Sequence, residues 1–137
     1  KTLSVRMKQH NENAIAVSNY LSNHPKIEKV FFPGNDKRHK EIAEKQMDGF
    51  GGMMSFVIDS DINGVKTFLK NLNLFTLAES LGGVESLIEH PAIMTHASID
   101  TSIREKLGIS ETLLRISVGI EDVDDLISDL DQALSKI

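Results

Sequence analysis

The sequence predicts a single mixed α and β domain, and three observations carry that reading. Two long stretches, 3–21 and 123–137, repeat apolar residues at intervals of three and four, the spacing of one helical face. Shorter apolar runs at 27–32, 53–58 and 113–118 have the length and composition of strands. Glycine, proline or a capping aspartate marks the joints between these segments. Strands separated by helices leave open a parallel α/β sheet or an antiparallel sheet with helices packed on one side.

The elements follow in order. Leu3, Met7, His10, Ala14, Val17 and Leu21 share one face of a long helix that Pro25 stops. Ile27 to Phe32, closed by Pro33-Gly34, reads as a strand entering a turn. Asp36 is placed to cap a helix running to about Met47. Gly49-Phe50-Gly51-Gly52 breaks the chain before the buried-strand composition of Met53 to Ile58. Asp61 caps the next helix, whose inner side is Ile62, Val65, Phe68, Leu69 and Leu72. Leu74 to Leu77 reads as a strand leading into a bend at Ser80-Leu81-Gly82-Gly83. Asp100 caps a short helix ended by Gly108, and Leu113 to Val118 is a strand. Val123, Leu126, Ile127, Leu130, Ala133, Leu134 and Ile137 form the stripe of a final helix. Glu121, Asp122, Asp124 and Asp125 crowd its start and Lys136 its end, which complements the helix dipole. The acidic side reads as a solvated face, because the spacing lacks a calcium-loop pattern.

Composition narrows the function. The 137 residues suit one domain, since a chain of about 150 residues buries roughly 68–70% of its unfolded surface. A formal charge of −5 argues against nucleic acid or an anionic membrane as the main partner. Lys37-Arg38-His39-Lys40, the one dense basic cluster, lacks interleaved aromatics and reads as a solvated helix start. With no cysteine there is no disulfide, thiolate metal site or thiol nucleophile. The five histidines, His10, His24, His39, His90 and His96, show no metal-binding spacing, so the expectation is no metal and ordinary surface or loop roles. No apolar run approaches a membrane span and no signal-peptide layout is visible, so a soluble protein is expected. The Gly49 to Gly52 run precedes a strand instead of opening a helix, so it does not read as a phosphate cradle.

Arg115 is the most informative residue. Leu114, Ile116 and Val118 alternate onto the apolar face of their strand, so Arg115 and Ser117 stand on the other. A guanidinium on a partly covered sheet face needs an anion, and its planar fork suits a carboxylate. That carboxylate could belong to an amino-acid ligand or to an internal Asp or Glu; the pattern alone favours the internal pair or simple exposure. Glu79 follows an apolar strand and precedes a glycine bend, where a side chain is delivered into a cleft, though a surface carboxylate is the plainer reading. Ser80 has no local base to make it a nucleophile. Gly82 and Gly83 permit the tight bend.

Three longer segments carry a resemblance. LFTLAESLGGVESL over 74–87, His90-Pro91-Ala92-Ile93-Met94-Thr95-His96-Ala97-Ser98, and LLRISVGIEDVDDL over 113–126 resemble the C-terminal domain of the pyridoxal-phosphate-dependent transsulfuration enzymes of cysteine and methionine metabolism. The likeness extends to the opening KTLSVRM and is greatest to the cystathionine γ-lyase and γ-synthase members. It implies an α+β fold, an antiparallel sheet with helices packed on one face, preceded by a long N-terminal helix. It also implies that 1–137 is one domain of a longer enzyme, with 1–24 as a connecting helix; the start at Lys1, partway along a helix, agrees.

The resemblance further implies roles. Arg115 would clamp the substrate α-carboxylate, with Ser117 a possible assistant and a plain sheet-face hydroxyl the simpler reading. Ser80 would orient the upstream Schiff-base lysine, and Glu79 would hold the distal ammonium of cystathionine or of an incoming amino acid. His90 to His96 matches a stretch lining the approach to the cleft. The lysine, the acid facing the pyridine nitrogen and the phosphate cup are not recognisable here, so pyridoxal 5'-phosphate would be held by an N-terminal domain of the parent and this chain alone would be inactive. The implied parent is a cytoplasmic homo-oligomer, a tetramer, that cleaves cystathionine at Cγ–S. The alternatives are γ-replacement on an activated homoserine, or a non-catalytic amino-acid-binding module.

Overall fold

The computed structural model describes residues 1–35 and 37–137, with the backbone alone for 37–39. The expected Asp36 cap and the side chains of Lys37, Arg38 and His39 lie outside the described residues. The elements are α1 (Leu3–Ser22), β1 (Ile27–Phe31), α2 (Lys37–Gln46), β2 (Met53–Ile58), α3 (Ile62–Asn71), β3 (Thr76–Leu77), β4 (Leu87–Glu89), α4 (Thr101–Lys106), β5 (Leu113–Ser117) and α5 (Val123–Leu134). The strands form one sheet in the order β1-β2-β5-β4-β3.

Pairing is antiparallel for β1 with β2, β2 with β5 and β4 with β5. The expected α+β architecture therefore stands, with one addition: the edge strand β3 pairs parallel to β4. Leu74 to Leu77 yields only a two-residue strand, because Asn73, Leu74 and Phe75 give their backbone N–H groups to the Asp129 carboxylate instead of to a ladder. Strand β4 is a finding that the sequence reading missed. Leu87, Ile88 and Glu89 are all buried, so no two-residue alternation exists to reveal them.

Alternation sorts β5 as expected, and β2 is mostly buried, as its composition suggested. Met54, Phe56, Ile58, Leu114, Ile116 and Ile88 face the core, where they meet Ala14, Val17 and Leu21 of α1, Val65 and Phe68 of α3, and Leu126, Leu130, Ala133 and Leu134 of α5. Each of the larger side chains among these, the alanines aside, stabilises the fold by about 1.5–3 kcal/mol relative to exposure. Phe56 and Phe68 meet edge to face with ring centroids 6.2 Å apart. The α1 stripe is buried only from His10 onward; Leu3 and Met7, expected on the inner face, are exposed.

The caps are as the sequence suggested at α3 and α4, and α5 adds one that the sequence reading did not single out. Asp61 accepts from Asn63 and Gly64, Asp100 from Ser102, and Asp122 from Asp124 and Asp125. Gly108 ends the α4 segment with φ +77°. At the other end of α5, Lys136 lies beyond the last turn, and Lys26 supplies the cation instead: its Nζ donates to the carbonyls of Leu134, at 2.9 Å, and Ile137. No described helix is long and apolar enough to cross a membrane.

Candidate functional site

β5 is the middle strand, and its outward face carries the site. Arg115 lies between Ser55 of β2 and Glu89 of β4 in direct cross-strand register. Directly opposed residues on one sheet face sit close enough for their side chains to meet. The Arg115 guanidinium forms an ion pair through Nη2 with Oε2 of Glu89. The two side chains differ in exposure: 28% for Arg115 against 2% for Glu89, so the cation reaches solvent while its anion is sealed in. Oε1 of Glu89 is buried and has no hydrogen-bond partner among the described residues. Nη2 of Arg115 also approaches the backbone carbonyl of Glu79 at 3.5 Å. No protein acceptor is found among the described residues for Nη1 and Nε.

The internal-pair reading of Arg115 and the carboxylate-clamp reading are thus both open to one side chain, since guanidinium has five donors and Glu89 takes one edge. Glu79 and Ser80 come to the same place, but through the backbone. Both are exposed, and among the described residues neither the Glu79 carboxylate nor the Ser80 hydroxyl has a hydrogen-bond partner. The structure brings Arg115 next to the Glu79 carbonyl, and among the described residues no ion pair joins the Glu79 carboxylate to the guanidinium.

Four polar groups hold this bend, the buried Ser117, Ser86 and Asn13 and the half-buried Glu121, and they correct or extend the sequence reading. Ser117, considered an assistant to Arg115 or a plain sheet-face hydroxyl, accepts the N–H of Gly82 at 2.8 Å. Gly82 needs that conformation, with φ +77°, a region side chains rarely adopt. Glu121, placed on the solvated acidic face, is instead an anchor: it accepts from Ser86 N at 2.6 Å and Ser86 Oγ at 3.0 Å. Ser86 Oγ in turn accepts from Gly119 N at 2.8 Å. Asn13 of α1 closes the network by donating Nδ2 to the carbonyls of Gly119 and Glu121.

Asp129 completes the frame. It is buried on α5, and it accepts from the N–H groups of Asn73 and Leu74, both at 2.8 Å, and of Phe75 at 3.2 Å. Burial acts to raise its pKa, but the donations from Leu74, Asn73 and Phe75 outweigh it and hold the carboxyl below the ordinary 3.8. The missed signal was periodic: position 129 lies three after Leu126 and four before Ala133, on the apolar stripe. For Glu89 no comparable signal existed, because its strand is three residues long.

Two histidines also depart from the expected surface or loop roles. His10 is buried and its Nδ1–H donates to the Val118 carbonyl at 2.6 Å. His90 is fully buried, and its Nε2–H donates to the Glu111 carbonyl at 2.8 Å, tying the strand end at 89 to the start of β5. Burial lowers the His90 pKa below 6.5, against the opposing effect of Glu111. No group of metal-ligating side chains is found among the described residues.

The chemistry of this donor set fits the carboxylate end of an amino acid. It does not by itself fit a cofactor: among the described residues no lysine makes an ion pair or hydrogen bond with Glu79, Ser80, Glu89 or Arg115.

Comparison with known proteins places the chain. A family model described as Cys/Met metabolism PLP-dependent enzyme matches residues 1–135. Cystathionine γ-lyase of Dictyostelium discoideum is 55% identical over 138 residues, covering 99% of this chain and 35% of that protein. Cystathionine β-lyase of Lactococcus lactis is 53% identical over 137 residues, covering 99% and 36%. The crystal structure of cystathionine γ-synthase from Xanthomonas oryzae pv. oryzae, solved in complex with aminoacrylate and cysteine and in complex with cystathionine, superposes with a TM-score of 0.93 at 47% identity, covering 98% of this chain and 35% of that one. The chain spans about a third of the length of these relatives. It belongs to the Cys/Met metabolism PLP-dependent enzyme family.

Proposed function

We propose that this chain is the C-terminal substrate-binding domain of a PLP-dependent enzyme of transsulfuration that cleaves cystathionine at Cγ–S. The observation that carries the reading is Arg115: a cation on the central strand, anchored by a buried carboxylate yet partly exposed and keeping donors unspent. An α-carboxylate is the ligand such a fork takes bidentately. The relatives named as cystathionine lyases support the substrate class, and so does the γ-synthase structure solved with cystathionine.

In this proposal the residues divide the work. Arg115 holds the substrate carboxylate and thereby sets the orientation of Cα. Ser80, on the exposed bend beside it, orients the Schiff-base lysine of the N-terminal domain. Glu79, exposed at the end of β3, receives the distal ammonium and selects for γ-type substrates. Pyridoxal phosphate, when bound through that lysine, supplies an electron sink for carbanion character at Cα and Cβ. The isolated chain is inactive, because the lysine lies outside it. A cytoplasmic homotetramer is part of the same proposal.

A γ-replacement reading is favoured by the likeness to γ-synthase, which is as extensive over this chain as the likeness to the lyases. Product analysis of the full-length enzyme separates them: cystathionine giving cysteine and 2-oxobutanoate supports the lyase, and cystathionine formed from an activated homoserine supports the synthase. In either case Arg115→Ala is expected to lower kcat/KM about a hundredfold, since a charge partner is lost. An unchanged kcat/KM would remove Arg115 from the site. Amino-acid affinity in the isolated chain, abolished by Arg115→Ala, would favour the non-catalytic binding module.

A further inference from the structure

We propose that Glu89 is the positioning residue for Arg115, fixing the guanidinium so that its free donors meet the ligand carboxylate. The inference rests on the carboxylate-clamp reading of Arg115 and adds to it a residue, and a cause, that the sequence pattern did not suggest.

Glu89 is unusual in three respects. It is a carboxylate 1% exposed, and burying such a charge is costly unless a partner repays it. Its only ion-pair partner among the described residues is Arg115, and its second oxygen accepts nothing there. It sits in the cross-strand position directly opposite Arg115, so the two backbones fix their separation. A buried ion pair is poor evidence for stability, because well-packed apolar residues serve that end as well. What the pair does supply is direction: a long cationic side chain with many rotamers is held at one edge.

The restraint is one-sided. Ser55 flanks Arg115 on the other strand with a short hydroxyl and makes no hydrogen bond to it. Glu89 and the Glu79 carbonyl both engage Nη2, which leaves Nη1 and Nε for a ligand. The link to Glu79 also ties the fork to the strand end from which Ser80 projects.

Two electrostatic effects oppose each other when Glu89 loses its charge. Removing the anion removes repulsion from the ligand carboxylate, which tightens binding. Freeing the fork removes preorganisation, which weakens it, and misplacement by about 1 Å can cost a hundredfold. The positioning role requires that the second effect win.

The test uses the full-length, cofactor-loaded enzyme and two probes that lack a γ leaving group, L-norvaline and L-norvalinamide. They share the side chain and the amine and differ in carrying a carboxylate or a neutral amide. Their dissociation constants are read from the change in cofactor absorbance. Glu89→Gln is expected to reduce the preference for norvaline over norvalinamide about tenfold while leaving norvalinamide affinity unchanged. Glu89→Asp keeps the charge but withdraws it by one methylene, and its ratio should fall between the other two. Should the Gln variant not fold, the Asp variant reads the same ratio.

A preference that rises, or equal weakening of both probes, overturns the proposal, the second outcome meaning a purely structural carboxylate. Arg115→Ala is measured alongside. If it leaves the preference intact, the clamp reading itself fails, a result distinct from any outcome at Glu89.

Discussion

Asp129 Oδ2 accepts the backbone N–H of Leu74 at 2.8 Å, joining α5 to the segment that leads through β3 to Glu79 and Ser80, across 55 positions of sequence. With its companions from Asn73 and Phe75, this contact starts β3 where it starts and so decides where Glu79 and Ser80 stand. Asp129→Ala is expected to destabilise the protein by about 1–3 kcal/mol, because three backbone donors, that of Phe75 buried, lose a charged acceptor. Equilibrium urea unfolding measures it. The pH dependence has a definite sign: the native carboxyl titrates below 3.8, so its stabilisation is full above that value and is lost as pH falls through the native pKa. Unfolding curves taken below pH 4 should show a steeper loss in the native protein than in Asp129→Asn.

His90 acts in a different window. Its native pKa lies below 6.5, so the unfolded state takes up a proton first as pH drops. Stability therefore declines as pH falls below about 6.5 and continues to fall until the native pKa is reached. His90→Gln should flatten the melting temperature between pH 7 and 5. An equal slope in both proteins would show that another group governs this range.

Gly119 is a packing constraint. A Cβ there would lie 2.6 Å from the Ser86 nitrogen and against the Val84 carbonyl, and both are backbone atoms that a rotamer change cannot move. Gly119→Ala is expected to cost about 1–3 kcal/mol by displacing the 84–86 segment. Thermal unfolding would record it, and an unchanged melting temperature would mean that the segment yields freely.

Ser117 tests the bend more gently. Ser117→Ala removes the acceptor of the Gly82 N–H and should cost about 1 kcal/mol of stability. Because the bend carries Ser80, the larger effect is expected in turnover, a fall of about tenfold in kcat/KM of the full-length enzyme. Stability lost without any change in turnover would separate the bend from catalysis.

The sequence by itself determined the parts whose cause is local. A period of three to four placed α1, α3 and α5 and a period of two sorted β5, since the repeat that buries a helix or strand face is written in consecutive residues, and length and apolar composition placed β2. Caps at Asp61 and Asp100 were legible because the acceptor and its donors lie within three residues. Arg115 stood out for the same reason, as a cation out of step with an apolar strand. Only the tertiary structure decided its partner. Glu89, 26 positions earlier on a strand too short and too buried to alternate, becomes its neighbour through sheet register alone. Likewise Glu121, Ser117 and Asp129 look like surface or incidental polar residues in one dimension. They are anchors because the fold carries unsatisfied backbone N–H groups to them from far along the chain, and a buried donor must find an acceptor wherever the topology provides one.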